Sequence, residues 1–121
     1  MKLSWEVETI LSTNAEDVAL SRQPGTTVMG EQFGPKTIEQ VWAKAKPELW
    51  FVYFKRDVCF ATIKRDDYGK ATEFGWEIDH IIPVSRGGTD EIENLQPLHW
   101  KNNREKGEQP PDWNCRKRSY R

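Results

Sequence analysis

The sequence predicts an α+β fold, in which a strand, a turn, a second strand and a helix follow an aromatic-rich N-terminal part. Apolar residues recur at helical spacing over residues 37–46. The apolar run of residues 76–82 is typical of a buried strand. A glycine-containing turn then leads to an extended segment at 94–98 and a helix at 99–106. The chain has 121 residues, which suits one domain with one modest core.

Residues 1–35 precede this pattern and have no clear role. Within them, Asn14 is suited to cap a short helix, because its side chain can accept a hydrogen bond from the first helical turn. Pro and Gly residues then punctuate the chain up to residue 35, which predicts a loop. We therefore expect an N-terminal segment over residues 1–35 and one domain over residues 36–121.

The elements of that domain can be predicted in order. The first helix has Thr37 as its expected N-cap, and Pro47 is expected to end it because proline disfavours helix at the preceding residue. Aromatic and β-branched residues then predict a strand at 58–63. A turn-rich connection leads to the strand of residues 76–82.

Charge is distributed unevenly along the chain. The net charge is −1, which does not indicate nucleic-acid binding. Residues 1–40 carry three basic and six acidic side chains, whereas residues 99–121 carry seven basic and three acidic ones. A basic C-terminal end can attract a polyanion, although such tails are often only solvated charge.

The sequence also bears on location and redox state. No apolar run is long enough to cross a bilayer, and the first residues contain no long apolar signal region. We expect a cytoplasmic protein without a membrane partner. Cys59 and Cys115 form no CxxC pattern, so both are expected to be reduced. A disulfide between them, or a shared metal, stays open.

An acid and a histidine, Asp79 and His80, adjoin inside the apolar run. A buried Asp needs a partner or a metal. His99 and Asn103 are four residues apart on the predicted helix and therefore share a face. Carboxylate, imidazole and amide groups suit Mg²⁺, Mn²⁺ or Zn²⁺, and a neutral His can take a proton from water. Such a set is equipped to hydrolyse a phosphodiester.

These residues lie in a stretch that resembles the HNH endonuclease motif, the ββα-metal nuclease fold of small bacterial and phage-type proteins. The resemblance rests on EIDHIIPVSRGGTDEIENLQPLHWKNNREKG. Its core covers residues 76–107, with a looser likeness over residues 56–115. It implies a metal-dependent endonuclease that hydrolyses phosphodiester bonds in DNA. The implied cofactor is one divalent ion, Mg²⁺ or Mn²⁺ ahead of Zn²⁺ or Ni²⁺.

The resemblance also implies a role for each matching residue. His80 corresponds to the general base and Asp79 to a metal ligand. Asn94, counted with the catalytic residues, corresponds to the Asn that holds the loop of the motif in shape. Asn103 matches the last metal ligand, and His99 matches a position where some members place a further metal-binding His. The residues expected to bind nucleic acid are Arg86, Arg104 and Lys106.

This sequence departs from the family in its cysteines. Many members carry two CxxC pairs that hold a structural zinc. Here the second pair would be His99 and Asn102, and the first pair retains only Cys59. We therefore expect no structural zinc, and we expect aromatic packing to support the motif instead.

Adjacent strand residues present a geometric condition for the site. Their side chains point to opposite faces, so Asp79 and His80 can serve one phosphate only if the strand ends or twists there. Pro83 makes an irregular end of the strand reasonable.

Two further functions remain open at this point. The negative charge of residues 1–40 suits a catalytically silent HNH-fold module that binds nucleic acid or a protein. The small size suits a nuclease subunit that is active only in a larger complex. The expected partner is DNA, double-stranded above all, and a homodimer or a larger nuclease or phage complex stays open.

Overall fold

A computed structural model describes residues 22–110 and 112–115 of the chain. The helix expected to begin at Asn14 lies outside the described residues. The described elements are α1 (Pro35–Trp42), β1 (Lys46–Pro47), β2 (Phe54–Arg56), β3 (Thr62–Lys64), β4 (Trp76–His80), β5 (Leu95–His99) and α2 (Trp100–Lys106). They form one small sheet in the order β1-β2-β3 and a second of β4 and β5, both antiparallel. The predicted α+β class and its ββα motif are confirmed.

The strand pair β4–β5 is the centre of the ββα unit. Its register runs from Trp76 opposite His99 to His80 opposite Leu95. Every residue of β4 is buried, because the pair is covered on both faces. Trp76 contacts Trp42 of α1, with ring centroids 5.3 Å apart. Since side chains alternate along a strand, the neighbours of Trp76 face α2 on the other side.

The hydrophobic core lies between α1 and the strand pair. Its buried members are Phe33, Val41, Trp42, Ala45, Ile63, Trp76, Ile78 and Leu95. Tyr68 packs edge-on against Trp76, with ring centroids 4.9 Å apart. Aromatic contacts of this kind contribute beyond the area they bury.

Helix α1 differs from the prediction at both ends. Its N-cap is Gly34, and Pro35 occupies the first turn without any side-chain cap. Proline suits that position because its φ is already helical and its missing N–H has no helical partner. The helix ends at the C-cap Ala43, and Pro47 lies in β1. The predictions of a Thr37 cap and a Pro47 stop are therefore wrong.

The strand predicted at residues 58–63 is also wrong over most of its length. Only the last two of its residues belong to β3. The preceding ones form a tight turn, in which the Asp57 N–H donates to the Ala61 carbonyl at 3.0 Å and the Phe60 N–H to the Asp57 carbonyl at 2.9 Å. Phe60 adopts a positive φ of 65° there. The turn overrides the β-propensity of the side chains because Asp57 anchors it.

The carboxylate of Asp57 is almost fully buried and links two distant segments. One oxygen accepts from the N–H groups of Cys59 at 2.9 Å and Ala61 at 2.8 Å. The other accepts from the His99 N–H at 2.9 Å and from the Asn102 side chain at 3.0 Å. A hydrogen-bonded carboxylate therefore joins the turn to the start of α2, at the positions where the CxxC pairs of the family would stand.

The two cysteines are joined in a disulfide, with Cα atoms 5.6 Å apart. The expectation that Cys59 and Cys115 are reduced is therefore wrong for this structure. The bond connects the turn after β2 with the segment of residues 112–115, far apart in sequence but adjacent in space. Among the described residues, no helix has the length and apolar character needed to span a membrane.

Residues 22–33 pack against the ββα unit. The Val28 N–H donates to both carboxylate oxygens of Asp90, at 3.0 and 3.1 Å. Phe33 belongs to the core and lies 6.0 Å from the His80 ring, centroid to centroid. The domain boundary at residue 35 stays a prediction, but the chain immediately before it contributes to the same core.

Candidate active site

A polar pocket lies where β4 and α2 end. It is lined by Asp79, His80 and Asn103, and also by Arg22, Arg104 and Glu108. Its volume of about 120 Å³ admits several water molecules. Four of the residues predicted for the site, an acid, a histidine, an amide and an arginine, thus line one cavity.

The position of His80 explains how two adjacent strand residues, whose side chains point to opposite faces, can reach one pocket. Trp76, Ile78 and His80 alternate toward the α1 face, whereas Glu77 and Asp79 contact α2. His80 is the last residue of β4, so both His80 and Asp79 reach the pocket at the strand end. The strand therefore ends where the predicted site needs it to end.

The imidazole of His80 is only 4% exposed and is held by Asp90. The distance from its Nε2 to the Asp90 Oδ1 is 2.8 Å. An ionised carboxylate can only accept, so in the neutral imidazole Nε2 is the nitrogen that carries the proton and Nδ1 is the one with the lone pair. Sequence reasoning missed Asp90, although it lies inside the motif at the end of the SRGGTD turn.

The carboxylate of Asp79 is 5% exposed and accepts two hydrogen bonds. Gln96 donates to Oδ2 at 2.9 Å, and Lys106 Nζ lies 3.2 Å from Oδ1. Burial raises the pKa of Asp79 above its ordinary value, with the Lys106 ammonium acting in the opposite direction. A nearby cation is therefore favourable at this carboxylate.

Lys106 differs from its predicted role as a surface contact to phosphate. Its side chain is 2% exposed, and Nζ also donates to the His80 carbonyl at 2.9 Å. Helix α2 runs back along the strand pair, which brings its last turn onto the end of β4. The ammonium binds the Asp79 carboxylate and the His80 carbonyl inside the protein. The prediction that Lys106 is a surface residue is therefore wrong.

Glu77 organises the other side of the pocket. Its Oε1 accepts from the Asn103 amide at 2.7 Å and from Arg104 Nη1 at 2.5 Å. Because the NH₂ of Asn103 is engaged, its amide oxygen is the atom left to act as a ligand. Glu77 was not predicted, yet its position two residues before Asp79 on an alternating strand indicates a shared face.

His99 is not brought to the pocket. It lies opposite Trp76, and the three residue steps from Trp76 to Asp79 along the strand span about 10 Å. Its Nε2 lies 2.8 Å from the Glu73 carbonyl, and its Nδ1 accepts from the Lys101 N–H at 3.1 Å. His99 is thus the N-cap of α2 and not a helical ligand, and we do not retain it in the proposed metal site.

Asn94 holds the loop between the two strands. Its Oδ1 accepts from the Ile82 N–H at 2.8 Å, and its Nδ2 donates to the carbonyls of Ile82 at 3.1 Å and Thr89 at 2.9 Å. Gly88 allows this contact, because a Cβ there would lie 1.7 Å from the Ile82 oxygen. Asn94 therefore fixes the shape of the loop.

Arg86 is exposed, and its Nε donates to the Glu108 carbonyl at 3.1 Å.

The donor atoms of the pocket can be compared with the ligands that a divalent metal ion prefers. Within the described residues, no three His, Cys, Asp or Glu side chains gather as a metal cluster. The pocket instead offers the Asp79 carboxylate and the Asn103 amide oxygen, both hard donors that suit Mg²⁺ or Mn²⁺. Two protein ligands leave positions for water and phosphate oxygens, as is usual for Mg²⁺. The residues therefore fit a divalent ion whose remaining ligands are water and the phosphate oxygens of the substrate.

The fold is a ββα unit with a polar pocket at the ends of β4 and α2. The family model of the HNH endonuclease matches residues 66–109, which include β4, β5, α2 and the four predicted pocket residues. This match confirms, for residues 66–109, the resemblance to the HNH endonuclease family that was seen in the sequence. HNH nucleases act on DNA and generally use a divalent metal. No curated protein and no solved structure matches the chain significantly.

Proposed function

We propose that the protein is a metal-dependent endonuclease that hydrolyses phosphodiester bonds in double-stranded DNA. The observation that carries the proposal is the pocket shared by Asp79, His80 and Asn103 inside the matched HNH segment. A cytoplasmic location belongs to the same proposal, and the Cys59–Cys115 disulfide would be unusual in that compartment.

His80 is the general base in this mechanism. Its Nδ1 takes a proton from water as the water oxygen forms a bond to phosphorus and the leaving oxygen departs. Asp90 keeps the imidazole in the tautomer that leaves Nδ1 able to accept. The mechanism uses the neutral imidazole, because only its Nδ1 lone pair can accept a proton.

Asp79 and Asn103 would hold the divalent ion, Mg²⁺ or Mn²⁺ in preference to Zn²⁺ or Ni²⁺. When bound, such an ion supplies stabilisation of the negative charge on the phosphate and on the leaving oxygen. Glu77 orients the Asn103 amide for this role. Arg104, half exposed at the pocket, and the exposed Arg86 would contact the DNA backbone with little sequence readout.

The test is plasmid cleavage by purified protein with Mg²⁺, Mn²⁺, Ni²⁺ or Zn²⁺. We expect His80→Ala to lower the cleavage rate by about 100-fold or more, the usual contribution of a positioned base. His99→Gln is the matched control, because it also removes an imidazole but outside the pocket. A wild-type protein that leaves plasmid intact with every metal, or a His80→Ala variant that cuts normally, would refute the proposal.

A second candidate is a DNA-binding module that does not cut. The observation that favours it is the enclosure of the site, since His80 is 4% exposed and the Asp79 carboxylate is already paired with Lys106. It predicts salt-dependent DNA binding without cleavage under any metal. Cleavage that appears only with an added partner protein would instead favour the nuclease-subunit alternative.

A further inference from the structure

Arg22 reaches the pocket from outside the matched HNH segment. Its side chain is only 8% exposed, and it lines the same cavity as Asp79, His80 and Asn103. Arginine is almost never this buried unless its charge is paired. The partners that the protein provides for the charge and the N–H groups of Arg22 therefore indicate whether the pocket is suited to bind an anion.

The guanidinium is only partly compensated by protein groups. Its Nη1 donates to the Thr26 carbonyl at 2.8 Å. Its ion-pair contact is Glu108, at 3.9 Å from Nη2, which is too long for a hydrogen bond. Glu108 is itself half exposed and accepts from the Ser85 hydroxyl at 2.5 Å. Nε of Arg22 is buried without an acceptor among the described residues.

Among the described residues, Arg104 and Lys106 are two further cations near the pocket, and both are engaged more closely by carboxylates. Arg104 lies 2.5 Å from the Glu77 carboxylate, and Lys106 lies 3.2 Å from that of Asp79. Arg22 is thus the one of these three whose carboxylate contact is weakest. A buried cation with an unused donor favours an anionic ligand, because an unpaired buried donor and charge are costly.

We propose that Arg22 binds the phosphate group of DNA that is cleaved, which deepens the proposed function and rests on it. A guanidinium presents donors in a planar fork that matches two phosphate oxygens. In this pocket it would hold the phosphate beside Nδ1 of His80 and stabilise the charge that develops on the oxygens during attack. The segment of residues 22–33 thereby supplies a contact to the cleaved phosphate, in addition to the backbone contacts proposed for Arg104 and Arg86.

A purely structural role for Arg22 makes a different prediction. Its bond to Thr26 could serve only to fix the turn of residues 22–26, in which case substitution would lower stability and leave DNA affinity unchanged in the folded fraction. The full-length variants Arg22→Gln and Arg22→Lys separate the two roles. Arg65→Gln is the matched control, since Arg65 pairs with Glu39 away from the pocket.

Cleavage of supercoiled plasmid gives the first readout. We expect Arg22→Gln to lower kcat by about 10²–10³-fold, the effect of removing one donor to a developing oxyanion. Arg22→Lys should recover part of the loss, because it restores charge without the fork. Arg65→Gln should cut at the wild-type rate. A loss in Arg22→Gln that only follows its unfolded fraction, measured by thermal melting, would overturn the inference.

Binding of a short DNA duplex in EDTA gives a readout that does not need cleavage. The slope of log affinity against log salt should fall by about 1 in Arg22→Gln, because one phosphate contact is lost. If wild-type protein cuts nothing but this slope still falls, the proposed function fails and the phosphate contact stands. An unchanged slope and affinity would overturn the Arg22 inference whether or not the protein cuts.

Discussion

The contact between Asp90 and His80 shows how a residue that the sequence did not indicate can fix the tautomer of the proposed general base. The carboxylate of Asp90 faces the imidazole and also accepts from the Val28 N–H. It therefore couples the tautomer of the proposed base to the position of the N-terminal segment. A base that is free to rotate or change tautomer would hold its lone pair toward water for only part of the time.

Asp90→Asn should lower the plasmid cleavage rate by about tenfold or more without unfolding the protein. An amide is neutral and can present its NH₂ to Nε2, which would shift the proton to the wrong nitrogen. The measurement is the initial cleavage rate, with Asp112→Asn as the control at an exposed acid. Equal rates for both variants would contradict the role of Asp90.

His99 makes a prediction about pH and stability. Burial lowers the pKa of His99, while the Glu73 carbonyl and the Asp57 carboxylate act in the opposite direction. The folded state thus prefers the neutral imidazole. The stability from this preference is fully present above the unfolded pKa of about 6.5 and is lost as pH falls through the lower folded value.

We expect the melting midpoint of the wild type to fall as pH is lowered from 7.5 to 5, and to fall less in His99→Gln. The glutamine amide cannot be protonated in this range, so proton binding at residue 99 no longer affects the stability of the fold. Parallel thermal melts of the two proteins across that range provide the measurement. Identical pH profiles would show that His99 does not carry the effect.

The turn after β2 and the start of α2 depend on each other through Asp57. Four N–H donors converge on its carboxylate, two from the turn and two from residues 99–102. Two short elements that would not be stable alone are thereby fixed together. The orientation of α2, and with it the position of Asn103, depends on this link.

Asp57→Ala should lower the free energy of unfolding by about 3 kcal/mol or more, because it leaves several buried donors without an acceptor. Urea unfolding of the variant and the wild type tests this, with Asp66→Ala as the control at an exposed acid. A loss below about 1 kcal/mol, the value of a single hydrogen bond, would mean that the link is not needed.

The disulfide ties the C-terminal part to the rest of the molecule. Cys59 and Cys115 are 56 residues apart in the chain. Closing so long a loop restricts the unfolded chain, and bonds of this kind typically contribute about 2–4 kcal/mol. The stability of the whole molecule should therefore depend on the redox conditions.

Cys115→Ser should lower the free energy of unfolding by about 2–4 kcal/mol in the absence of reductant. With dithiothreitol present, the wild type and the variant should unfold at the same urea concentration. Two reactive thiols per chain in wild-type protein that was purified without reductant would contradict the bond, and would agree with the expectation of reduced cysteines.

The central ββα unit was predictable because its signals are local. Alternation and burial in residues 76–80, the glycine turn and the helical spacing all lie within one continuous stretch. The same stretch contains Asp79, His80 and Asn103, which are separated along the chain only by the loop of residues 81–94, β5 and the first half of α2. The α+β class and the HNH resemblance were confirmed for this reason, whereas the roles of these three residues stay predictions.

Packing between distant segments accounts for what the sequence could not indicate. Lys106 is buried because α2 folds back onto β4, and His99 caps that helix because β5 extends one residue further than the motif suggests. Arg22 lines the pocket from the segment of residues 22–33, which no periodicity connects to it, and Asp90 contacts both that segment and His80. A side chain's type and spacing are properties of the local chain, but its burial, its partners and its charge balance arise from surfaces that come together only on folding.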